Sequence, residues 1–415
     1  MKKHLLALSA AAVLLAPNAV GAEGFAVNEW SAEGFAMGGA RMFAENDAAN
    51  MAYNPASLTK IKGEVAKISA TYISPHGKYK AVPKDPGMET EYGNNRVHPA
   101  WAPGSYYAKQ LNEKEYIGFG AYSRFGNACQ FEAGSLPGTN NTSAKINGIS
   151  VGVNYAKKLD SKWSASLGAE VNYIGLQYDK TPLLPDGHPL GSGWHHAHLE
   201  GESYALGWNA AANYAFDDKN EIGVVYRSKV KHSMEADFDT TIPNPLGNQA
   251  YYDAYGVVTL PESVMIGYGH KFNDRTRVEL NGTWTRWSRF GALNISNEHP
   301  DGVVNDAKNW SDGWRYAIGV EHKLSDKYSL LGGIAYDESS IPDNNGADFM
   351  VPTGTRTTFT IGAQYHDAKQ TLAFTVGHMK VGDLRMTSHG SEAYDTAEMY
   401  DSYTKMFSIS YQRNF

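Results

Sequence analysis

From about residue 60 onward, apolar and polar side chains alternate with a period of two over stretches of ten residues or more. Trp163, Ala165, Leu167, Ala169, Val171 and Tyr173 share one parity, and Ser164, Ser166, Gly168, Glu170 and Asn172 the other. Tyr204, Leu206, Trp208, Ala210, Ala212, Tyr214 and Phe216 alternate in the same way with Ser203, Gly207, Asn209 and Asn213. Period two predicts strands with one apolar and one polar face. A soluble sandwich shows the same period, so the strand ends decide what the apolar face meets. Aromatic residues stand at both ends of these faces, as with Trp163 and Tyr173, Tyr204 and Phe216, or Tyr403 and Phe415. That is the pattern of the two interfacial girdles of a transmembrane barrel, and strands of this length are rare in sandwiches.

The connections make a second argument. Short polar turns occur at Leu111-Asn112-Glu113-Lys114, Leu159-Asp160-Ser161-Lys162, Phe216-Asp217-Asp218-Lys219-Asn220, Phe272-Asn273-Asp274-Arg275, Leu324-Ser325-Asp326-Lys327 and His366-Asp367-Ala368-Lys369. Longer stretches rich in Gly, Pro and Asn separate them, near residues 75–99, 126–144, 180–200, 231–256, 291–309, 340–353 and 385–402. Six turns alternating with seven long loops require about fourteen antiparallel strands, with both barrel termini on the short-turn side. The fold class is therefore all-β, a transmembrane antiparallel barrel over residues 61–415. A barrel this wide needs water or a plug in its lumen.

Residues 23–60 are the plug candidate. They lack the period of two and precede the first strand, and Phe25, Val27, Trp30, Phe35, Met37, Met42, Phe43, Met51 and Tyr53 make them too apolar for a solvated tail. Residues 1–22 read as a secretory signal. Lys2 and Lys3 form a charged start, residues 5–15 are apolar but too short to span a bilayer, and Val20-Gly21-Ala22 offers a cleavage site.

Composition narrows the function. With 42% hydrophobic residues the chain is no helical membrane protein, and a formal net charge of −7 argues against a nucleic-acid partner. The single cysteine, Cys129, rules out a disulfide framework. Gly148-Ile149-Ser150-Val151-Gly152 has the spacing of a hydrolase nucleophile, but the alternation runs straight through Ser150, where that chemistry needs a sharp turn into a helix. His188, His195, His196 and His198 crowd one loop, yet adjacent and i+2 histidines rarely converge on one ion. Asp343-Asn344-Asn345-Gly346 lacks the later Glu of a calcium loop. No cofactor, metal site or enzymatic activity is expected.

Gly24-Phe25-Ala26-Val27-Asn28-Glu29, then Ser31, Gly34, Gly38, Ala40 and Asp47-Ala48, then Asn54-Pro55-Ala56-Ser57-Leu58, resemble the N-terminal hatch of the FadL/TodX (OMPP1) family. The resemblance continues through Gly207-Trp208-Asn209, Tyr226-Arg227-Ser228, Leu260-Pro261-Glu262, Trp287-Ser288, Trp310, Trp314-Arg315, Ala335-Tyr336-Asp337 and Ile341-Pro342. It implies an outer-membrane transporter of long-chain fatty acids or other hydrophobic compounds, in a Gram-negative bacterium. It further implies a fourteen-stranded barrel plugged by its N-terminus, an extracellular groove that captures ligand, an internal pocket against the hatch, and lateral release through a gap at a kinked third strand. An apolar tunnel that opens sideways delivers an apolar ligand to hydrocarbon, where each buried CH2 gains about 0.8 kcal/mol.

Candidate sites follow. Gly24, Phe25, Val27, Asn28, Asn54, Pro55 and Ala56 belong to the hatch and its ligand pocket. On the third strand, residues 114–125, Gly118 and Gly120 are positioned to kink the wall, with Tyr116 and Tyr122 beside them, or else to make room for the plug. Leu183, Leu184, Pro185, Leu190 and Trp194 form an apolar patch in a loop, suited to capture. Inward charges at Arg227, Lys229, Arg315, Glu321, Asp337 and Arg356 are read as a lattice that fixes the hatch. Fatty-acid members hold the carboxylate with basic side chains, and the best-aligned positions here are Gly175 and Asn294, which leaves a neutral hydrocarbon or aromatic ligand open; Arg286 and Arg289 are near enough to substitute. The partners expected are a hydrophobic ligand, outer-membrane lipid, and the barrel assembly machinery through the C-terminal Phe415, with the chain a monomer. A water-filled porin, a hydrolase and a surface receptor or adhesin are the competing classes. Residues 23–60 speak against the porin and the missing nucleophile against the hydrolase.

Overall fold

The computed structural model describes residues 24–189, 191–243, 250–290, 292–297, 303–341, 347–352 and 354–415. The expected signal (residues 1–22), Leu190 and the Asp343 to Gly346 turn fall outside them. Among the described residues, fourteen antiparallel strands close into one barrel: β1 (Glu64–Pro83), β2 (Glu91–Asn94 and Ala100–Gln110), β3 (Glu115–Tyr122 and Gly126–Gln130), β4 (Ser143–Lys158), β5 (Trp163–Lys180), β6 (Ala197–Ala215), β7 (Asn220–Arg227 and Val230–Thr240), β8 (Ala250–Leu260 and Ser263–Lys271), β9 (Thr276–Thr285 and Ala292–Asn297), β10 (Val303–Ala307 and Gly313–Lys323), β11 (Tyr328–Asp337), β12 (Arg356–His366), β13 (Gln370–Val381 and Leu384–Thr387) and β14 (Tyr394–Asn414). Each pairs with its sequence neighbour, and β1 closes the ring against β14 from Val65↔Asn414 to Pro83↔Tyr394.

The six short turns share one local cause. In each, a side-chain oxygen two or three residues before the next strand accepts two successive backbone amides, the closure favoured by Asn, Asp and Ser. Asn112 Oδ1 takes the amides of Lys114 and Glu115 at 3.0 Å each. Asp160 Oδ1 takes Lys162 and Trp163 at 2.7 Å each, and these amides hold its carboxyl below the ordinary range. Asp217, Asn273, Ser325 and Asp367 repeat the arrangement.

The outward face carries the apolar parity: Leu206 is 79% exposed, Leu167 63% and Ile361 60%, the exposure of a face that meets lipid. Aromatic pairs band both ends of it. Trp163 meets Tyr214 at 4.8 Å near the turns, while Tyr173 meets Tyr204 at 5.0 Å and Trp208 meets Tyr226 at 5.0 Å further up. Ten residues of tilted strand from Trp163 to Tyr173 span about 25 Å, one hydrocarbon thickness.

Several expected loops prove to be partly ladder, as Ala292–Asn297 with Val303–Ala307 within 291–309. Within 231–256, Val230–Thr240 pairs with Ala250–Leu260, and within 385–402, Leu384–Thr387 pairs with Tyr394–Asn414. Beyond the membrane the outer face carries Lys231, Ser233, Glu235 and Asp239, so water replaces lipid and the apolar alternation that marks a strand disappears.

Residues 24–60 run through the lumen and are almost wholly buried. They form α1 (Ala32–Ala36), α2 (Asn50–Tyr53) and a 3-10 turn (Pro55–Lys60). Ser31 Oγ caps α1 by accepting the Gly34 amide, and Asn54 Oδ1 caps the 3-10 turn by accepting from Ala56, with Pro55 at the first position where no amide is needed.

Candidate functional site: a lumenal segment, a wall window and an aromatic box

Charges reaching in from the strands hold residues 24–60. Lys67 on β1 places Nζ 2.9 Å from Glu33 and 2.5 Å from Asp47. Arg41 lies 3.2 Å from Asp47 and 3.3 Å from Glu321 on β10, and Arg277 on β9 joins Glu321 at 2.9 Å and Glu279 at 3.0 Å. Glu279 in turn accepts the Met42 amide at 2.6 Å. Higher in the barrel, Arg227 donates to the Ala52 carbonyl at 2.5 Å and the Tyr122 hydroxyl at 2.8 Å, Arg315 to the Gly38 carbonyl at 2.8 Å, and Arg356 to the Gly24 carbonyl at 3.1 Å. Arg315 also lies 2.9 Å from Asp337. The lattice expected from sequence therefore contains Arg227, Arg315, Glu321, Asp337 and Arg356. Lys229 does not belong to it: β7 is interrupted between Arg227 and Val230, and the break turns Lys229 outward into solvent. Reading the sequence had missed Lys67, Arg277 and Glu279, although each is a charged residue on the inward parity of a strand.

The third strand does bend, but not at its glycines. The ladder runs without a break through Ala108↔Gly118 and Tyr106↔Gly120 on one side and Gly118↔Asn154 and Gly120↔Gly152 on the other. A Cβ on Gly118 would stand 2.6 Å from Met51 Sδ and 2.9 Å from Leu58, so this glycine makes room for the lumenal segment, the alternative left open above. Tyr116 lies near the turns, its hydroxyl 3.3 Å from Gln110 Nε2. Tyr122 is the last residue of β3 paired with β2, opposite Gly104. Beyond it, residues 123–125 bulge toward the lumen, still tied to β4 by the Gly148 amide on the Phe125 carbonyl at 3.1 Å, and Gly126–Gln130 resumes pairing with β4 alone. Contact with β2 returns only where the Arg96 amide donates to Gln130 at 2.7 Å.

Between these limits residues 97–103 have no β3 partner, a window about 20 Å long at one strand rise per residue. Its β2 edge holds Pro99 and Pro103, which have no amide hydrogen to offer a ladder. Those two prolines are a signal in the sequence that could have located the window, in place of the glycines. The bulge, held to β4 on one side, pairs on the other with the lumenal segment. Ala26 bridges Phe125, the Val27 amide donates to the Arg124 carbonyl at 2.9 Å, and the Gly126 amide to the Phe25 carbonyl at 2.8 Å. Behind it lies a small cavity lined by Ala26, Asn28, Arg124, Phe125 and Arg227 among others, with both arginines facing Glu170.

Phe25 sits in a box of rings, 4.8 Å from Trp287, 5.2 Å from Phe290, 5.9 Å from Trp310 and 6.0 Å from Phe125. Val27 is buried against Phe35, Ile73 and Ala102, the last on the window edge. Asn54, Pro55 and Ala56 do not join this site. Asn54 Nδ2 donates to Asn213 at 2.7 Å and Ala56 packs with Met42, Phe43 and Val225, so these three residues anchor the segment elsewhere in the lumen.

In the loop patch, Leu183–Leu184 pairs with Gly193–Trp194, and Trp194 is 44% exposed. His198 Nδ1 is 2.6 Å from Asp179; among the described residues no three metal-ligating side chains converge. Gly175 shares the outward parity of Tyr173, alternate to buried Asn172 and Ile174, so a basic side chain there would not enter the lumen. Arg286 and Arg289 are both held by Glu262, at 3.3 and 3.1 Å. Cys129 is buried and lines a second cavity, beside Met379 and Met399.

A closed membrane barrel whose residues 24–60 fill its lumen, with the β2–β3 ladder interrupted beside residues 25–27, is an outer-membrane channel rather than an open pore. The chain belongs to the outer membrane protein transport family (OMPP1/FadL/TodX), whose signature matches residues 13–415. It is similar to the long-chain fatty acid transport protein of Salmonella typhi, 24% identical over 86% of this chain and 87% of that one. Two solved structures share the fold. A Pseudomonas aeruginosa FadL homologue (18% identity) superposes with a TM-score of 0.83 over 94% of this chain and all of that one. The P. putida toluene transporter TodX (16% identity) does so with 0.71 over 94% and 99%.

Proposed function

We propose that this barrel takes up hydrophobic small molecules passively. They would be captured at the loop patch of Leu183, Leu184, Leu190 and Trp194, pass the hatch at Gly24, Phe25, Val27 and Asn28, and leave sideways into the outer-membrane lipid above Tyr122. Residues 1–22 serve as the export signal, residues 23–60 as the hatch and 61–415 as the barrel, which acts as a monomer and is inserted by the barrel assembly machinery through Phe415. The observation that carries the reading is the window itself: the ladder between β2 and β3 lapses where residues 123–125 turn in to pair with residues 25–27. In this reading Tyr116, Gly118 and Gly120 seat the hatch below the opening, and Asn54, Pro55 and Ala56 anchor it. Relatives named as fatty-acid and toluene transporters support a hydrophobic cargo.

The test is uptake of a labelled hydrocarbon and of a labelled fatty acid by cells that express either the natural chain or one lacking residues 123–125. The deletion lets β3 run straight and close on β2. Uptake should fall to background while the protein stays heat-modifiable on gels; uptake at the natural rate would point instead to a route straight through to the periplasm.

A further inference from the structure

Two of the rings around Phe25 belong to tryptophans with buried indole N–H donors. Trp287 is fully buried and Trp310 5% exposed, and neither indole Nε1 has a partner among the described residues. Buried donors are almost always paired, because an unmet N–H forfeits its hydrogen bond to water. The rest of the box is hydrocarbon, namely Phe25, Phe125 and Phe290, with Trp287 and Trp310 packed 5.3 Å apart. Backbone also crowds in. Gly24 is at φ +60, and a Cβ on it would stand 2.7 Å from Trp310 and 3.0 Å from Trp287.

One ring, Phe25, therefore fills a site whose walls suit a ring, and a phenyl offers the indole N–H groups at most a weak contact with its π face in place of an oxygen acceptor. Phe25 is also tied to the wall opening, since its carbonyl accepts from Gly126 and its neighbours pair with Arg124 and Phe125. Whatever replaces it in the box loosens the strand beside the window.

We propose that the box selects a single-ring aromatic compound carrying a neutral oxygen acceptor, an aryl ketone, aldehyde or ester. Its ring takes the place of Phe25 and its oxygen accepts from the indole N–H groups. This deepens the uptake reading above and rests on it. A fatty chain or an unsubstituted hydrocarbon fits the apolar walls but leaves both donors unmet. An anionic acceptor is disfavoured because the cations beside the box already have partners: Arg124, 5.3 Å from the Phe125 ring, pairs with Glu170, Arg286 and Arg289 pair with Glu262, and Arg356 donates to the Gly24 carbonyl with Asp337 close by. A carboxylate would enter an apolar box with no free counter-charge.

Calorimetric titration of the full barrel in a non-aromatic detergent with acetophenone, toluene, benzoate and hexadecanoate tests this. Acetophenone should bind on the order of tenfold more tightly than toluene, the worth of one good hydrogen bond. Trp287→Phe and Trp310→Phe remove each donor together with part of its ring, so both ligands respond, but the ratio of acetophenone to toluene affinity should fall toward one in each variant. Phe25→Ala, which removes the resident ring and spares both donors, should tighten acetophenone and decides the matter if the tryptophan variants lose heat-modifiability. Equal binding of acetophenone and toluene, tighter binding of benzoate, a preference that survives loss of both donors, or no change with Phe25→Ala would each overturn the proposal. Binding of hexadecanoate with none of the aromatics would overturn it and leave the uptake reading standing, whereas failure of all four ligands would count against both.

Discussion

Lys67 on β1 and Asp47 of the lumenal segment form an ion pair at 2.5 Å, with the lysine only 2% exposed. The same ammonium reaches Glu33 at 2.9 Å, so one strand side chain fixes two turns of the segment. Removing one member of a buried pair leaves the other charge unmet, at a cost of about 3 to 5 kcal/mol. Lys67→Met is therefore expected to loosen the segment without unfolding the barrel. Planar-bilayer recording should show frequent large openings in the variant and a nearly silent natural protein; equal conductance would mean that residues 24–60 do not obstruct the lumen.

Acid should act on the same contact. Burial alone would raise the Asp47 carboxyl, but Lys67 and Arg41 more than offset it and lower it from 3.8 to about 2. A carboxyl depressed in the folded state stabilises above its unfolded value, and that contribution is lost as pH falls through the folded one. The contribution of Asp47 to holding the segment should be intact at pH 7 and fade between roughly pH 4 and 2. Opening frequency recorded across that range checks it, and Asp47→Asn should open already at neutral pH.

Neighbouring glycines on β11 separate seating from strand propensity. A Cβ on Gly333 would stand 2.2 Å from the Met37 carbonyl carbon, against backbone that cannot swing aside, whereas one on Gly332 meets nothing nearer than the Thr360 carbonyl at 3.9 Å. Gly333→Ala should displace the segment, at about 1 to 3 kcal/mol, and raise conductance; Gly332→Ala should leave it unchanged. Similar behaviour of the two variants would contradict the seating of Met37 and Gly38 on β11.

The lipid face is open to a depth test. Leu206 and Glu200 share the outward parity of β6, six residues apart. Leu206→Arg should cost about 2 to 4 kcal/mol if the residue lies near the midplane, and Glu200→Arg close to nothing because that end stands in water. Folding titrations into vesicles measure both; equal costs would mean that the hydrocarbon band has been drawn at the wrong height.

The sequence alone determined the wall. Period two, aromatic ends and six Asn, Asp or Ser turns are local properties, written residue by residue because every strand must show lipid one face and every turn must satisfy its own amides. The lattice was partly legible for the same reason: Arg227, Arg315 and Asp337 lie on inward parity, and inward charges in a barrel need partners.

Which atoms answered them was decided only by the tertiary structure. Main-chain carbonyls at Gly24, Gly38 and Ala52 carry no signature in sequence, and they come within reach of the arginines only once the barrel has closed around the segment. Glycine permits a kink, which favours Gly118 and Gly120 as the bend in β3, but those glycines face Met51 and Leu58, and the bend falls at residues 123–125, where residues 25–27 supply an alternative hydrogen-bonding partner. Trp287 and Trp310, twenty-three residues apart on either side of a loop, meet around Phe25 for the same reason. Long-range pairing sets which donor finds an acceptor, and a linear pattern records what each residue offers but not what it meets.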